Sequence, residues 1–593
     1  MRTERSGQTQ SFVLNHCFKN SVLYPALLVF TVISCAETEP PGANKSDGRN
    51  GTPAPVVSSS AATVASNKVE PSVVPVASVT TSELPPHPGP WLKVLSPSVA
   101  IYSAPNIDRS SKLGYAQNGA RIPVTGKATP GEKCNAGWLE VVGGGFVCSA
   151  SGTLDEKEGR AKFTIRRPDL EQVLPYTYAR NAKNGTPLYR TIPTKEQMLE
   201  YEPYLKKSKE EKTTESNNAK SEETAATTAT NTTSDNGQAA GSAAFAASKS
   251  AGTSVVSGVA ANNGSSEGTS DAGATAGNEA SESDRPWWQR EGIDDKLHKL
   301  RLTDLHEGSD GVLALRMVRG FYIAVDKTFS WNGRTWYKST KGLVAPADRM
   351  TQAAASDFHG VELGAEYRLP IGWVYGGRDK VQLYEIDKEK KRVKVSGTVE
   401  KFVAVKLVDE TQEIGGVIYR GTADGKWVRQ AQMRITEPGK PPTELREGER
   451  WVDVDLSSQT LIVFEGSTPL YATLISSGKS SRNKDKDHAT PIGQWRIREK
   501  HITATMDGDG TDAGDNPYSI EDVPFVMYFH KSYAIHGAFW HRNFGAQMSH
   551  GCINLAPLDA KAVFMKTAPY LPTEWHGAWS SETKPGSWVV VHE

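Results

Sequence analysis

The sequence predicts a mainly β, multidomain protein, and three observations carry that prediction. Short apolar runs separated by Gly, Pro, Asn and Asp recur over 89–155, 285–445 and 449–593, the pattern of short strands joined by turns. Two long stretches of Ala, Ser, Thr, Gly and Pro elsewhere lack the apolar bulk for a core. At 593 residues, 37% hydrophobic with 53 Gly and 34 Pro, the chain exceeds one ordinary domain, so about two or three compact units are diluted by linkers.

At the N-terminus, Arg2, Arg5 and Lys19 precede an apolar run from Val22 to Ile33, interrupted by Tyr24 and Pro25. It is too short to span a bilayer, and a charged start, apolar centre and small residue at the cut read as a secretory signal over 1–35. Val32-Ile33-Ser34-Cys35 resembles a bacterial lipobox, which implies a lipidated Cys35 as the mature first residue. The resemblance implies an exported lipoprotein on the periplasmic side of a membrane, and Ala36 is compatible with outer-membrane sorting. An ordinary signal peptide with an incidental cysteine is the alternative. Residues 36–88 follow as a disordered tether, with a span on the order of 40 Å as a flexible coil.

Residues 89–155 hold Trp91–Leu95, Val99–Tyr102, Ala120–Val124 and Trp138–Val141, spaced as in a small β-barrel. The order of Ile101-Tyr102-Ser103-Ala104-Pro105, Gly137-Trp138-Leu139-Glu140-Val141 and Gly145-Phe146-Val147 resembles bacterial SH3-like domains. Of five cysteines, Cys17 and Cys35 belong to the export segment, Cys134 and Cys148 lie close together, and Cys552 stands alone. Export implies an oxidising compartment. Cys134 and Cys148 flank the Trp138 strand and its glycine turn, a hairpin layout that predicts a disulfide; two free thiols are the alternative.

Residues 156–205 and 285–445 read as a β-rich accessory region, with an SH3-like fold as one reading of it. Within it, 160–205 and 285–350 read as one interrupted domain and 370–435 as a second barrel-like module. The interruption, 206–284, is Ala, Ser, Thr, Gly, Asn and Glu and is expected to be a disordered linker.

Over 449–593 the strand pattern is clear at Trp451–Leu456, Leu461–Phe464 and Leu470–Ile475. A helix is expected near Leu558–Lys566, with Pro557 suited to its first turn, and Trp588–Val591 as a closing strand. Here Ile535-His536-Gly537 is followed by Ser549-His550-Gly551-Cys552-Ile553-Asn554. Histidines and glycines crowd one cysteine: a base to ionise the thiol, and backbone free to turn closely around a substrate. A base beside Cys552 is expected to hold its pKa below the ordinary value of about 8.5. A small buried hydrophobe is the plain alternative for such a cysteine.

These motifs, with Trp451-Val452-Asp453-Val454 and Thr490-Pro491-Ile492-Gly493-Gln494-Trp495, resemble the L,D-transpeptidases of the bacterial cell wall, whose catalytic domain is the YkuD-type β-sandwich. The resemblance covers roughly 449–593; many members carry Arg where this chain has Asn554. It implies Cys552 as nucleophile and His536 as general base, with Gly537 beside it. Gly551 is the expected backbone oxyanion donor and His550 is mainly positional. Ser549 and Asn554 are expected to line the donor groove, and Tyr528 to serve the oxyanion region or simply pack as a strand aromatic. Implied partners are peptidoglycan stem peptides, with another stem, a wall-linked protein or water as acceptor, and no cofactor. Transfer to water makes an L,D-carboxypeptidase; a non-catalytic wall-binding lipoprotein is the remaining alternative.

Lys plus Arg equals Asp plus Glu at 68 each, which argues against a nucleic-acid partner. His530, His536, His541, His550 and Cys552 are potential metal ligands, but no two have a familiar zinc spacing, so no metal is expected. Asp507–Asp512 fails the EF-hand test, with Asp512 at the glycine position and Tyr518 at the glutamate position, and reads as a flap.

Overall fold

The computed structural model describes residues 87, 89–154, 165–206, 285–308, 311–484, 487–509 and 516–593. The signal segment with Cys35, the 36–88 tether apart from His87, and the 206–284 linker apart from Lys206 lie outside the described residues. The protein is mainly β, in several sheets. No helix among the described residues is long and apolar enough to cross a membrane.

Two sheets face each other in the C-terminal domain. The first runs in the order Val361–Glu362, Thr468–Leu474, Thr460–Glu465, Arg450–Asp455, Trp588–His592, Gly493–Arg496. The closing strand Trp588–His592 pairs parallel to Arg450–Asp455, joining the two ends of the domain. The second sheet contains Glu499–Gly508, the long strand Tyr518–His530, Tyr533–Gly537 and Ile553–Leu555. Val452, Val454, Leu461 and Val463 of the first sheet meet Phe525, Met527, Ile535, Ile553 and Leu555 of the second. The strand Arg450–Asp455 is buried on both faces, because Trp451, stacked on Phe464, packs outward against Trp373 and Phe358 of the preceding segment.

The helix Pro557–Lys566 follows the strand Ile553–Leu555 and drops Ala560, Val563 and Phe564 into the same core. Both of its ends are tied. Near its start the buried Asp559 accepts hydrogen bonds from Tyr471 Oη (2.6 Å), Thr473 Oγ1 and the Gly360 N–H (2.6 Å). At its C-terminal end the buried Lys500 Nζ donates to the carbonyls of Phe564 and Thr567, satisfying groups the helix leaves unpaired.

The second sheet continues into both flanking units. On one side Gly577–Trp579 pairs with Lys112–Gln117 of the N-terminal β-unit, whose core of Leu92, Val94, Ile101, Ile122 and Leu139 is completed by Trp575 and Ala578. Cys134 and Cys148 of this unit are disulfide-bonded, with Cα atoms 5.8 Å apart.

On the other side Tyr322 pairs parallel with Ile520. Strands from before and after the 207–284 linker interleave here: Thr177–Asn181 pairs with Tyr322–Trp331, and Thr186–Tyr189 with Leu313–Met317. The short helix Lys195–Tyr201 starts at a capping box of Thr194 and Gln197. Residues 371–435 form a separate sheet built on two long hairpins, Lys380–Glu400 and Ala404–Thr422.

Candidate active site

The parallel pairing of Tyr533–Gly537 with Ile553–Leu555 sets the site. Ile535 lies opposite Ile553 and His536 opposite Asn554. Side chains alternate between faces, so Ile535, Ile553 and Leu555 enter the sandwich core while His536 and Asn554 point the other way. Cys552, two residues before Asn554, shares that outer face, where it packs among Ala534, Tyr528 and Trp540. The site thus sits on the sheet surface, with adjacent strands about 4.8 Å apart.

Cys552 is half-buried and is the one free cysteine among the described residues. Burial pushes its thiol up to about 11, with the Ala534 backbone acting in the opposite direction. His536 is buried, and burial lowers its imidazole to about 4, partly opposed by the Gly537 carbonyl. Its Nδ1 lies 3.4 Å from Gly537 O, which assigns the proton to Nδ1 and leaves the lone pair on Nε2. Both shifts favour the neutral forms, and that of the thiol runs opposite to the expected lowering. Tyr528 stays a neutral phenol, raised to about 12 by burial and by Cys552. Tyr518 is raised by the same two influences in the same order.

The turn before the nucleophile is held by hydroxyls. Ser549 Oγ accepts the Gly551 N–H at 3.1 Å and donates to the Cys552 carbonyl, while Thr490 Oγ1 donates to the Gly551 carbonyl at 2.9 Å. The Gly551 N–H is thus already engaged, and serving as an oxyanion donor requires it to leave Ser549. Gly551 has φ +114°, and a Cβ there would lie 2.2 Å from the Tyr533 ring. Only glycine fits. Gly478 presses on the same turn: a Cβ there would lie 2.8 Å from Gly551 Cα. His550 is exposed between His488, ring centroids 4.9 Å apart, and Tyr518, at 6.4 Å.

Asn554 is buried and bonded to His541 Nε2 at 2.9 Å. His541 Nδ1 accepts the Asn543 N–H at 3.3 Å, so the neutral ring carries its proton on Nε2 and donates to Asn554. The amide oxygen must then face His541, which turns the NH2 group into the position that otherwise has no hydrogen-bond partner. Asn554 so oriented offers a donor on the Cys552 face. His541, foreseen only as a potential metal ligand, is its orienting partner. Tyr518, Thr490 and Gly478 are further contributors, of which Thr490 alone stood in a recognised motif. No group of three or more His, Cys, Asp or Glu side chains among the described residues converges in metal-binding geometry. Of the stretch read as a flap, Asp507 and Gly508 belong to a strand paired with Ser519 and Tyr518, and 510–515 lie outside the described residues.

Residues 449–591 match the family model of the YkuD L,D-transpeptidase catalytic domain. Among solved structures, similar chains include a cysteine-to-serine mutant of the Enterococcus faecium L,D-transpeptidase at 24% identity, covering 24% of this chain and half of that one, TM-score 0.18. The catalytic domain of the E. faecium enzyme, solved by NMR, is also 24% identical over 24% of this chain and 98% of that one, TM-score 0.18. An L,D-transpeptidase from Mycobacterium smegmatis is 18% identical over 35% of this chain and 77% of that one, TM-score 0.19. No curated protein sequence matches the chain. Residues 449–591 are a YkuD L,D-transpeptidase catalytic domain.

Proposed function

We propose that the protein is a peptidoglycan L,D-transpeptidase working through a Cys552 thioester. The observation that supports this reading best is that Cys552 packs with Ala534 on the side of the sheet that carries the buried His536, itself in register with Asn554. As Cys552 Sγ attacks the carbonyl carbon before the terminal D-alanine of a stem tetrapeptide, His536 Nε2 takes the thiol proton. The tetrahedral intermediate collapses, the C–N bond breaks, and the proton passes to the departing D-alanine amine. An acceptor amine then attacks the thioester, gives a proton to His536, and expels the Cys552 thiolate, which recovers that proton. Tyr528 and Asn554 lie on the same side of the sheet as Cys552 and are the neutral donors this reading offers to the developing oxyanion.

On this reading the protein is exported and lipidated at Cys35, and the N-terminal β-unit is an SH3-like wall-binding module. The test is incubation with disaccharide-tetrapeptide followed by mass analysis of products. Cross-linked dimers with release of D-alanine support the transpeptidase; trimmed tripeptide alone makes the protein a carboxypeptidase; unchanged substrate contradicts both.

A further inference from the structure

The proposed base has an unusual support. His536 is buried, and its one hydrogen bond among the described residues is the 3.4 Å contact to the neighbouring Gly537 carbonyl. No carboxylate among the described residues is hydrogen-bonded to it. The ring instead lies 5.6 Å from Trp540, which meets Phe539 edge-on at 5.2 Å. Phe539, three residues past His536, is buried and stacks on Tyr178, with ring centroids 4.0 Å apart and planes 27° apart.

Tyr178 belongs to the module upstream of the catalytic domain, on the strand Thr177–Asn181. It is fully buried, and its hydroxyl donates to the Asp522 carbonyl at 2.5 Å. Asp522 lies within the long strand Tyr518–His530 yet has φ +50°, a left-handed conformation that L residues avoid unless their surroundings hold them there. The same module supplies more of those surroundings. Thr340 Oγ1 donates to the Asp522 carboxylate, and Lys341 Nζ lies 3.8 Å from it. Thr503 Oγ1 donates from within the catalytic domain at 3.0 Å. Tyr322 adds an edge contact to Phe539 at 5.3 Å.

One aromatic side chain from outside the catalytic domain thus touches both the segment that carries His536 and the strand beneath it. We propose that Tyr178 is a positioning residue that, through its stack on Phe539, holds the His536-bearing segment in register with Cys552. This rests on the reading of Cys552 and His536 as nucleophile and base. It also gives the upstream module a role in catalysis distinct from wall binding.

The full chain is tested with Tyr178→Leu, which removes the stack, Tyr178→Phe, which keeps it, and Phe539→Leu, which removes it from the other side. Thermal melting checks the fold of each. Two rates are measured against pH: acylation by a carbapenem, which needs the base at neutral pH, and alkylation by iodoacetamide at its high-pH limit, where the thiolate forms without one. Tyr178→Leu is expected to slow acylation at pH 7 by about tenfold or more, the scale of a small misplacement. Its limiting alkylation rate is expected to stay within about twofold, because a thiolate needs no base. Tyr178→Phe should follow the wild type in both, and the double variant Tyr178→Leu/Phe539→Leu should be no slower than the slower single one. If Tyr178→Leu does not fold, Phe539→Leu reports on the same stack. Wild-type acylation in the stack-removing variants, or a parallel fall in both rates, overturns the proposal. Acylation that persists in Cys552→Ala overturns instead the reading on which it rests.

Discussion

Asn554 stands directly opposite His536 in the parallel pair formed by the strands before and after the nucleophile turn. Strand alternation sets the face of His536 and Asn554, and the hydroxyl-held turn just before Ile553 brings Cys552 to the same side. Burial then decides their charge: the thiol is driven up to about 11 and the imidazole down to about 4. Both shifts favour the neutral forms, and in the proposed mechanism the proton moves as the sulfur attacks.

Alkylation of the free enzyme should accordingly increase with pH with a midpoint above the ordinary thiol value of about 8.5. His536→Ala should leave that midpoint nearly unchanged but cut acylation at pH 7 by about 10²–10⁴-fold, the usual range for a lost general base. A wild-type midpoint well below 8.5 would indicate a preformed thiolate and imidazolium instead.

Gly551→Ala should abolish acylation, because the added Cβ would meet the Tyr533 ring at 2.2 Å in a backbone conformation with φ +114°. The check is carbapenem labelling alongside a thermal melt. A variant that labels at the wild-type rate would show that this turn relaxes far more freely than its hydroxyl anchors suggest.

Glu521 gives the junction with the upstream module a pH dependence. It is buried and accepts the Ala324 N–H at 3.0 Å, and burial, then the neighbouring Asp522, raises its carboxyl to about 8. A carboxyl raised above its unfolded value of about 4.3 contributes stability that is full below that value and is lost as pH rises through the folded one. Glu521→Gln should therefore raise the melting temperature at pH 8 by several degrees and change it little at pH 4. Equal effects at both pH values would contradict the assignment.

Replacing Cys134 and Cys148 by serine should destabilise the N-terminal β-unit by about 3 kcal/mol, the chain-entropy value for a loop of this size. Denaturant unfolding followed at Trp138, buried in that unit, reads the change. Acylation of Cys552 should persist, since the disulfide touches none of the residues around it.

The candidate site around Cys552 stood out in the sequence because few residue types can supply a nucleophile, a base and a close turn over so short a span. The core strands of the C-terminal domain were legible from their alternation, although Trp451 shows its limit: it faces a second apolar layer that no local pattern reveals. The Thr194 and Gln197 capping box was a readable signal for the helix Lys195–Tyr201 that went unused. His541 was visible only as a possible ligand, because its bond to Asn554 depends on how the segment after His536 folds back. Tyr178 carries no local signal at all: it lies 344 residues from Asp522 and resembles any strand aromatic.

In the proposed mechanism Cys552 carries the acyl group. Peptide mass mapping of the full chain after carbapenem treatment tests it most directly. One adduct is expected, on the peptide containing Cys552, absent in Cys552→Ala and strongly reduced at pH 7 in His536→Ala. An adduct on another residue, or none on folded wild-type protein, would contradict it.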